Sequence, residues 1–281
     1  MTYAHPEVLT DTDFVSKNSP SDTLKLVEVD YDPENGYRKG HIAGATLIWW
    51  RRDINDPITR DIVDKKQFES LMSRNGITPD SQVILYGDFN NWFAAFAFWV
   101  FKYYGHKNVK IMNGGRKKWE LEKKPYVTEE PKINPSNYVA QPPDEGLRAY
   151  LFDVRRALNR KEIGLVDVRS PKEFTGEITA PPEYPMEHAQ RGGHVPGAQN
   201  IPWATAVNDS DGTFKSVEEI KQNYIPKGIT PDKEIICYCR IGERSSHSWF
   251  VLKYLLGYPQ VRNYDGSWTE WGNMIGNPVE K

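Results

Sequence analysis

The chain repeats one sequence design twice, and this repeat limits the folds open to it more than any other feature. "KGHIAGATLIWW" from Lys39 matches "GGHVPGAQNIPW" from Gly192, and "GITPDSQVILYGD" from Gly76 matches "GITPDKEIICYCR" from Gly228. Matching residues are 152 or 153 positions apart throughout. Because a repeat of this length corresponds to a whole domain, the 281 residues are expected to form two domains of one fold.

A proline-rich stretch separates the two copies. The segment "KKPYVTEEPKINPSNYVAQPPDEG" carries five prolines, which is typical of an extended linker. We therefore predict a first domain over residues 1–135, a linker over 136–147 and a second domain over 148–281.

Within each copy, short apolar runs alternate with segments of helical periodicity. The runs "KLVEVD", "SQVILYG", "GLVDVR" and "KEIICYC" predict buried strands of a parallel sheet, and "DKKQFESLMSRN" and "SVEEIKQNYI" predict helices. Gly105 and Gly257 are placed to end helices, and Trp92 to Phe101 predicts a buried helix. This alternation indicates an α/β fold, with open, mostly parallel sheets flanked by helices, whose ligands bind beyond the carboxyl ends of the strands.

Composition and charge exclude several classes of partner. A formal net charge of −2 gives no electrostatic case for binding nucleic acid or an anionic membrane, and the polar start of the chain predicts no signal peptide. The two cysteines, Cys237 and Cys239, are too close in sequence for an unstrained disulfide across a strand, so a reducing cytoplasm is expected. We predict no metal site and no cofactor, because further ligands are missing near this pair.

The second copy serves as an internal comparison for the first. Residues that both copies share are expected to be scaffold, among them two histidines and two tryptophans: His41, His194, Trp119 and Trp271. The loops after the matching strands differ, since residues 87–92 read "GDFNNW" and residues 239–244 read "CRIGER". The fold forms without a cysteine and arginines in this loop, so their presence in the second copy indicates chemistry rather than packing.

A loop between a strand end and a helix N-terminus can direct backbone N–H groups inward and so attract an anion. Arg240 and Arg244 would add two positive charges and could bind an oxyanion through their planar guanidinium groups. Because helix N-termini and neighbouring cations lower the pKa of a thiol, we expect Cys239 to be largely thiolate at neutral pH.

A thiolate beside an anion site suits two reactions. One is attack on the outer sulfur of thiosulfate, which leaves a persulfide, and the other is attack on phosphorus. Cysteine-based phosphatases hold phosphate in a Cys-x5-Arg loop, whereas the spacing here is Cys239-x4-Arg244. The tighter loop favours sulfur transfer and makes phosphatase activity the least favoured alternative.

The segment "CRIGERS" after "IICY", together with "LVDVRSPKEF", "GGHVPGAQNIPW" and "YDGSWTEW", resembles the rhodanese family. The chain is similar to its two-domain thiosulfate sulfurtransferases, in which the first domain lacks the catalytic cysteine. The resemblance implies two tandem rhodanese-like domains, a persulfide cycle on Cys239 and substrate binding by Arg244. Arg240 matches the arginine that follows the nucleophile in thiosulfate-preferring members, whereas mercaptopyruvate-preferring relatives carry Cys-Gly-[Ser/Thr]-Gly. Animal thiosulfate enzymes have small or apolar residues at the positions of Glu243 and Arg244.

We therefore predict a sulfurtransferase that moves the sulfane sulfur of thiosulfate to cyanide or a thiol. Its catalytic residue is Cys239, and the residues predicted to bind substrate are Arg240, Gly242, Glu243 and Arg244. Two alternatives remain: 3-mercaptopyruvate is the donor, or the protein is a persulfide carrier that serves a protein sulfur acceptor. In both alternatives the partners are a small anionic donor and a thiophilic acceptor.

Several residues near the loop have structural interpretations. Cys237 is expected to be a buried strand residue rather than a resolving thiol. His247 is expected to have a packing or solvent role rather than act as a general base, and Asp167 with Arg169 to form an internal salt bridge. Arg240 and Arg244 could pair with an acidic residue, either Glu243 or Asp265, instead of binding substrate. Glu243 could also serve as a helix N-terminal residue that tempers the positive field.

The second copy carries an insertion, within residues 170–192, that the first lacks. Loops of this length, about 14 residues, are often functional. His188 and Arg191 in it could border a cleft or have ordinary surface roles.

Overall fold

The computed structural model of the protein describes residues 2–21, 23–181 and 188–281. Residues 182–187, in the predicted insertion, lie outside the described residues. The chain divides into two compact units. The N-terminal unit comprises Glu7–Asp144 and Asp209–Phe214, and the C-terminal unit comprises Met1–Pro6, Glu145–Asn208 and Lys215–Lys281. No sequence pattern indicated that Met1–Pro6 and Asp209–Phe214 would each join the unit formed by the other half of the chain.

The N-terminal unit is built on one parallel sheet. Its strands are β1 (Leu9–Thr10), β2 (Leu24–Asp30), β3 (Ala45–Trp49), β4 (Gln82–Tyr86) and β5 (Val109–Met112). Its helices are α1 (Thr12–Asn18), α2 (Trp50–Asp53), α3 (Lys65–Arg74), α4 (Trp92–Tyr103) and α5 (Gly115–Leu121). The strands lie in the order β1-β5-β4-β2-β3, and all pairs are parallel.

The C-terminal unit repeats this plan with four strands. They are β6 (Ile163–Asp167), β7 (Gln199–Asn200), β8 (Glu234–Tyr238) and β9 (Val261–Tyr264). The helices are α6 (Leu151–Ala157), α7 (Pro171–Thr175), α8 (Val217–Tyr224), α9 (Glu243–Phe250) and α10 (Ser267–Trp271), and a π-helical segment, Val251–Leu255, continues α9. The strand order β7-β6-β8-β9 is parallel throughout. The predicted α/β fold, with an open parallel sheet and flanking helices in each copy, is confirmed.

Short 3-10 helices complete the secondary structure. They lie at Pro6–Val8, Tyr37–Lys39, Phe89–Asn91, Glu145–Leu147, Trp203–Ala206 and Ile225–Lys227.

Burial explains why the apolar runs form central strands and a central helix. In β4 and β8 the last four residues are all buried, as expected for strands covered on both faces. In α4 every residue is buried except Trp92 and Lys102, which confirms the predicted buried helix. Among the described residues, the structure shows no helix with the length and apolar character needed to span a membrane.

Glycines end the two helices that follow β4 and β8. Gly105 has φ +75° and Gly257 has φ +74°, in the left-handed region that glycine adopts without strain. Both predicted helix ends are confirmed, so each helix turns back toward the next strand at the same place.

The shared histidines hold the same junction in both units. The backbone N–H of His41 donates to the Val127 carbonyl, and the backbone N–H of His194 donates to the Glu280 carbonyl. The His41 ring stacks on Tyr37 at 3.7 Å between centroids, and the His194 ring stacks on Phe174 at 3.5 Å. These contacts confirm that both histidines are structural.

The proline-rich segment is hydrogen-bonded along the N-terminal unit. The Ser136 N–H donates to the Ser73 carbonyl, and the Gln141 N–H donates to the Tyr104 carbonyl. This part of the predicted linker therefore has fixed backbone partners, and the domain limits of 135 and 148 stay a prediction.

We expect Ser216→Ala to lower the free energy of unfolding by about 1 kcal/mol, because it removes the cap of α8. The Ser216 hydroxyl accepts from the Glu219 N–H at 3.4 Å, and Glu219 Oε2 accepts from the Ser216 N–H at 3.1 Å. Urea unfolding measures the change. Gln222→Ala, at an exposed position of the same helix, is the control and should stay within about 0.5 kcal/mol of the wild type. Equal effects of the two substitutions would contradict the capping role.

Candidate active site

Cys239 follows the last residue of β8, and Gly242 is the N-cap of α9. Gly242 has φ +105°, and a Cβ added there would lie 2.9 Å from the Cβ of Asp265. Both the conformation and the close approach require glycine at this position. The residue thus lets the chain turn from the strand into the helix within a few residues, with Cys239 inside the turn.

The thiol of Cys239 is fully buried and lies at the helix N-terminus. The backbone N–H of Gly242 donates to Sγ at 3.1 Å, and the N–H of Cys239 itself donates to Ser267 Oγ at 3.0 Å. The predicted inward-facing N–H group is therefore confirmed at Gly242. Because Sγ accepts this hydrogen bond and faces the positive end of α9, the position stabilises negative charge on sulfur.

The expectation that Cys239 is largely thiolate at neutral pH is wrong for this arrangement. Burial raises the pKa of its thiol, and the carboxylate of Glu243, whose Oε2 lies 3.6 Å from Sγ, raises it further. Arg244 and hydrogen bonding from Ser245 act in the opposite direction but do not outweigh these effects. The sequence-based argument counted the arginines and the helix dipole, but it did not include the loss of hydration on burial.

Arg244 is held by an acidic residue that the sequence analysis did not single out. Its Nη1 and Nη2 each donate to a carboxylate oxygen of Glu173, on α7, at 2.9 Å. Its Nε lies 3.6 Å from Glu243 Oε1, which confirms one of the two pairings that the sequence left open. Asp265, in the other pairing, accepts from Nε and Nη2 of Arg148, both at 2.9 Å. The motif "LVDVRSPKEF" contains Glu173 and was the available signal.

Arg240 is nearly fully buried, at 3% exposure. Its carbonyl oxygen accepts from the N–H of Thr269 at 3.0 Å and from the Thr269 hydroxyl at 2.8 Å. The backbone of the loop is thereby fixed to α10. Substrate binding by the side chains of Arg240 and Arg244 stays a prediction.

Ser267, at the start of α10, is a second residue that the sequence analysis missed. It has φ +54°, which is uncommon for a residue with a side chain. Its hydroxyl donates to the Tyr264 carbonyl at 2.7 Å and accepts from the backbone N–H of Cys239. The backbone N–H of the next residue, Trp268, donates to the Cys239 carbonyl at 3.0 Å. The segment "YDGSWTEW" therefore fixes the backbone of the cysteine.

A polar network ties the first turn of α9 to β9. Ser245 Oγ donates to Asn263 Oδ1 at 2.6 Å, and Asn263 Nδ2 donates to Ser246 Oγ at 2.8 Å. Both serine hydroxyls also reach the Gly242 carbonyl, at 3.0 and 2.7 Å. The helix N-terminus that faces the thiol is thus fixed relative to the sheet.

The structural interpretations of three nearby groups are confirmed. Asp167 and Arg169 form a buried ion pair, and the Arg169 guanidinium also lies over the Trp268 ring at 4.6 Å. Cys237 is a free, fully buried strand residue, and burial raises the pKa of its thiol. His247 is fully buried against Trp203, and burial lowers the pKa of its imidazole to about 3.

The two candidate residues of the insertion have different positions. The guanidinium of Arg191 donates to four carbonyl oxygens at and after the end of α10, those of Trp271, Gly272, Met274 and Asn277. This side chain therefore supports the C-terminal backbone. His188 is exposed.

The matching loop of the N-terminal unit has no place for a cysteine. A Cβ added to Gly87, which corresponds to Cys239, would lie 2.5 Å from the carbonyl oxygen of Val29. Asp88 stands where Arg240 is in the other copy, and burial together with the charge of Asp30 raises its pKa to about 8. The backbone and the charges of this loop both differ from those around the thiol.

We expect Glu173→Gln to lower the free energy of unfolding near neutral pH by about 3 kcal/mol, because it leaves Arg244 buried without its partner charge. Burial raises the pKa of Glu173, but the charge and hydrogen bonds of Arg244 outweigh this and lower it to about 2. A carboxyl group with a lowered folded-state pKa stabilises the protein above its unfolded pKa of about 4.3. The difference from the wild type should therefore shrink as the pH falls toward about 2.

Urea unfolding at several pH values measures this difference. Glu177→Gln is the matched control, because Glu177 pairs with Lys172 at an exposed position, and its effect should stay below about 1 kcal/mol. A difference between wild type and Glu173→Gln that does not change with pH would contradict the role of the ion pair.

Comparison with known proteins identifies the family. The model of the rhodanese-like domain matches residues 13–122 and again residues 152–274. The chain is 56% identical over 284 residues to the sulfur carrier protein TtuD of Thermus thermophilus, covering 100% of this chain and 99% of that protein. It is 51% identical over 277 residues to a Mycolicibacterium smegmatis protein named "Putative thiosulfate sulfurtransferase", covering 99% of each.

Solved structures show the same fold along the chain. Wild-type EanB superposes with a TM-score of 0.87 at 24% identity, covering 99% of this chain and 70% of that one. The anaerobic ergothioneine biosynthesis enzyme from Chlorobium limicola gives a TM-score of 0.86 at 26% identity, covering 98% and 70%. The chain therefore belongs to the rhodanese family and carries two rhodanese-like domains in tandem.

Proposed function

We propose that the protein is a sulfurtransferase that takes the sulfane sulfur of thiosulfate onto Cys239 and passes it to a thiophilic acceptor. The observation that carries the proposal is the position of Sγ at the N-terminus of α9, where it accepts a hydrogen bond from the Gly242 N–H at 3.1 Å. The family of the chain and the names of its relatives support the same chemistry.

The proposed cycle has two displacement steps at sulfur. First, Cys239 loses its proton, which is carried away on the released sulfite as hydrogen sulfite, and its thiolate attacks the outer sulfur of thiosulfate. The S–S bond of thiosulfate breaks, sulfite leaves with the electron pair, and the persulfide Cys239–S–S⁻ remains. Then the acceptor attacks the outer sulfur of the persulfide, and the cysteine thiolate is the leaving group. Cyanide serves as acceptor in an assay and a thiol serves in the cell; no cofactor takes part.

The surrounding groups have distinct roles in this cycle. The Gly242 N–H and the helix N-terminus stabilise the sulfur anion, both before loading and when the thiolate leaves. Arg244 adds a full positive charge, and its bidentate contact with Glu173 keeps the guanidinium in place. Arg240 is proposed to bind the sulfonate end of the donor. Since Cys239 is fully buried, the residues that cover it must move before a donor or acceptor reaches sulfur.

A second candidate function is that of a persulfide carrier. It is favoured by the high identity of the chain, 56% over its full length, to a protein named as a sulfur carrier. A carrier would use the same persulfide on Cys239 but deliver it to a partner protein. Slow turnover with small acceptors, beside rapid transfer to one protein, would favour this candidate.

We expect incubation with thiosulfate to add the mass of one sulfur atom to the peptide that contains Cys239. Cyanide should then remove this sulfur as thiocyanate. Cys239→Ser should show no adduct and no thiocyanate formation, because it lacks the nucleophile. Cys237→Ala is the matched control; it removes the other thiol of the chain, which is fully buried, and should keep both reactions. An unloaded wild-type protein, or a loaded Cys239→Ser variant, would overturn the proposal.

We also expect kcat/KM to be higher for thiosulfate than for 3-mercaptopyruvate. The physical reason is the arginine pair of the loop, which suits a sulfonate-like dianion better than a monocarboxylate. Steady-state rates with a common acceptor measure the ratio. A higher kcat/KM for 3-mercaptopyruvate would make that compound the donor and leave the persulfide on Cys239 unchanged.

A further inference from the structure

The carboxylate of Glu243 faces the thiol of Cys239 inside the protein. Oε2 lies 3.6 Å from Sγ, and the two residues are 2% and 0% exposed. A buried negative charge at this distance opposes formation of a second negative charge on sulfur. The carboxylate therefore destabilises a permanent thiolate. At 3.6 Å it is close enough to exchange a proton with the sulfur.

Two other charged side chains near the pair, Arg244 and Asp265, each bind a group of opposite charge. Arg244, on the same helix, is bound by Glu173 from α7 and lies 3.6 Å from the other oxygen of Glu243. Asp265, which follows β9, is bound by Arg148. Cys237 lies two residues before Cys239 in β8, and burial raises the pKa of its thiol. Glu243 Oε2 is therefore the proton acceptor that the structure places against Sγ.

We propose, on the basis of the sulfurtransferase function above, that Glu243 carries a proton from an incoming neutral thiol to Cys239 during sulfur delivery. The proposal assigns the natural acceptor to the class of thiols that arrive protonated, whether small or on a protein. It also makes Glu243 a catalytic residue for that half of the cycle rather than a residue that binds the donor.

The step balances in atoms and electrons. The carboxylate of Glu243 takes the S–H proton of the acceptor R–SH, and the resulting R–S⁻ attacks the outer sulfur of Cys239–S–S⁻. The bond between Sγ and the outer sulfur breaks, and its electron pair stays on Sγ. Glu243 then returns the proton to Sγ. The products are R–S–S⁻ and Cys239–SH, with no oxidant or reductant required.

The structure shows the contact of this carboxylate with one of the two sulfur atoms. Glu243 Oε2 is 3.6 Å from Sγ, which is within the range of a sulfur hydrogen bond. The outer sulfur of a persulfide lies about 2.05 Å from Sγ, and the attacking thiol approaches in line on its far side. The proposal therefore requires the Glu243 side chain to move between the attacking sulfur and Sγ.

Acceptors without a proton do not need this group. Sulfite, which is dianionic in large part near neutral pH, can take the outer sulfur and reform thiosulfate without giving up a proton. Loading from thiosulfate begins instead with loss of the Cys239 proton, so its pH dependence follows the pKa of that thiol. Loss of the negative charge of Glu243 lowers the pKa of the Cys239 thiol, since that charge raises it in the wild type.

The test compares acceptors in the variant Glu243→Gln, which keeps the side-chain shape but cannot carry the proton. We expect transfer from the preloaded persulfide to a neutral thiol to slow by about 100-fold near neutral pH, as is typical for loss of a general acid–base group. Transfer to sulfite should be unchanged or faster, and the pH midpoint of loading from thiosulfate should move down. Glu177→Gln, the same change at an exposed site, should leave all three rates unchanged.

A pH profile separates proton transfer from a structural effect. In Glu243→Gln the thiol-dependent rate should recover as the pH rises toward the acceptor thiol's own pKa, about 8.5 for a cysteine, because the acceptor then arrives as thiolate. If Glu243→Gln does not fold, a solvent deuterium isotope effect on the wild type gives the same answer: it should be present with the thiol and absent with sulfite.

Two results would overturn the inference. Equal slowing with thiol and sulfite, without recovery at higher pH, would show that Glu243 only positions the loop. In the isotope measurement, equal effects with both acceptors would have the same meaning. By contrast, a wild-type protein that never gains sulfur on Cys239 would overturn the proposed function itself, and the inference with it.

Discussion

The buried ion pair between Arg244 and Glu173 is the interaction on which the surroundings of Cys239 depend. It joins the first turn of α9 to α7, so the helix N-terminus that faces the thiol is fixed to a second element of the unit. Neither charge would be tolerated alone at this depth. The charge of Arg244 lowers the pKa of the Cys239 thiol, and the charge of Glu243 raises it. The proposed cycle depends on these opposing effects, because it requires the charge on the sulfur to change.

Both units contain an arginine that bonds to a carboxylate and to a matching backbone carbonyl, but the arginine comes from a different position in each. In the C-terminal unit, Arg169 bonds to Asp167 and donates to the Gly193 carbonyl at 2.7 Å. In the N-terminal unit, Arg116 of α5 bonds to Glu28 and donates to the Gly40 carbonyl at 2.9 Å. Gly40 is the residue that matches Gly193 in the repeat. Both units thus place a guanidinium between a carboxylate and this carbonyl. The thiol of Cys239 has no such counterpart, because Gly87 stands at its matching position.

Local patterns in the sequence predicted the features that depend on neighbouring residues. The strands, the helix ends at Gly105 and Gly257, and the position of Cys239 between a strand and a helix all follow from the order of residue types. The pairing of Arg244 with Glu173 joins residues 71 positions apart, and no local pattern specifies it. The protonation of the thiol also depends on burial, which only the packed structure defines. Local patterns therefore predicted the candidate site but not its electrostatic character.

The close approach of Gly87 to the carbonyl oxygen of Val29 has a consequence for how the repeat diverged. Gly87 directly follows β4, and a Cβ there would lie 2.5 Å from this oxygen of β2, so a side chain requires the backbone to shift. A single codon change to cysteine would therefore not restore a nucleophile to the N-terminal unit. The obstacle is built into the main chain, and an engineer who wanted two reactive centres in one polypeptide would first have to respace these strands.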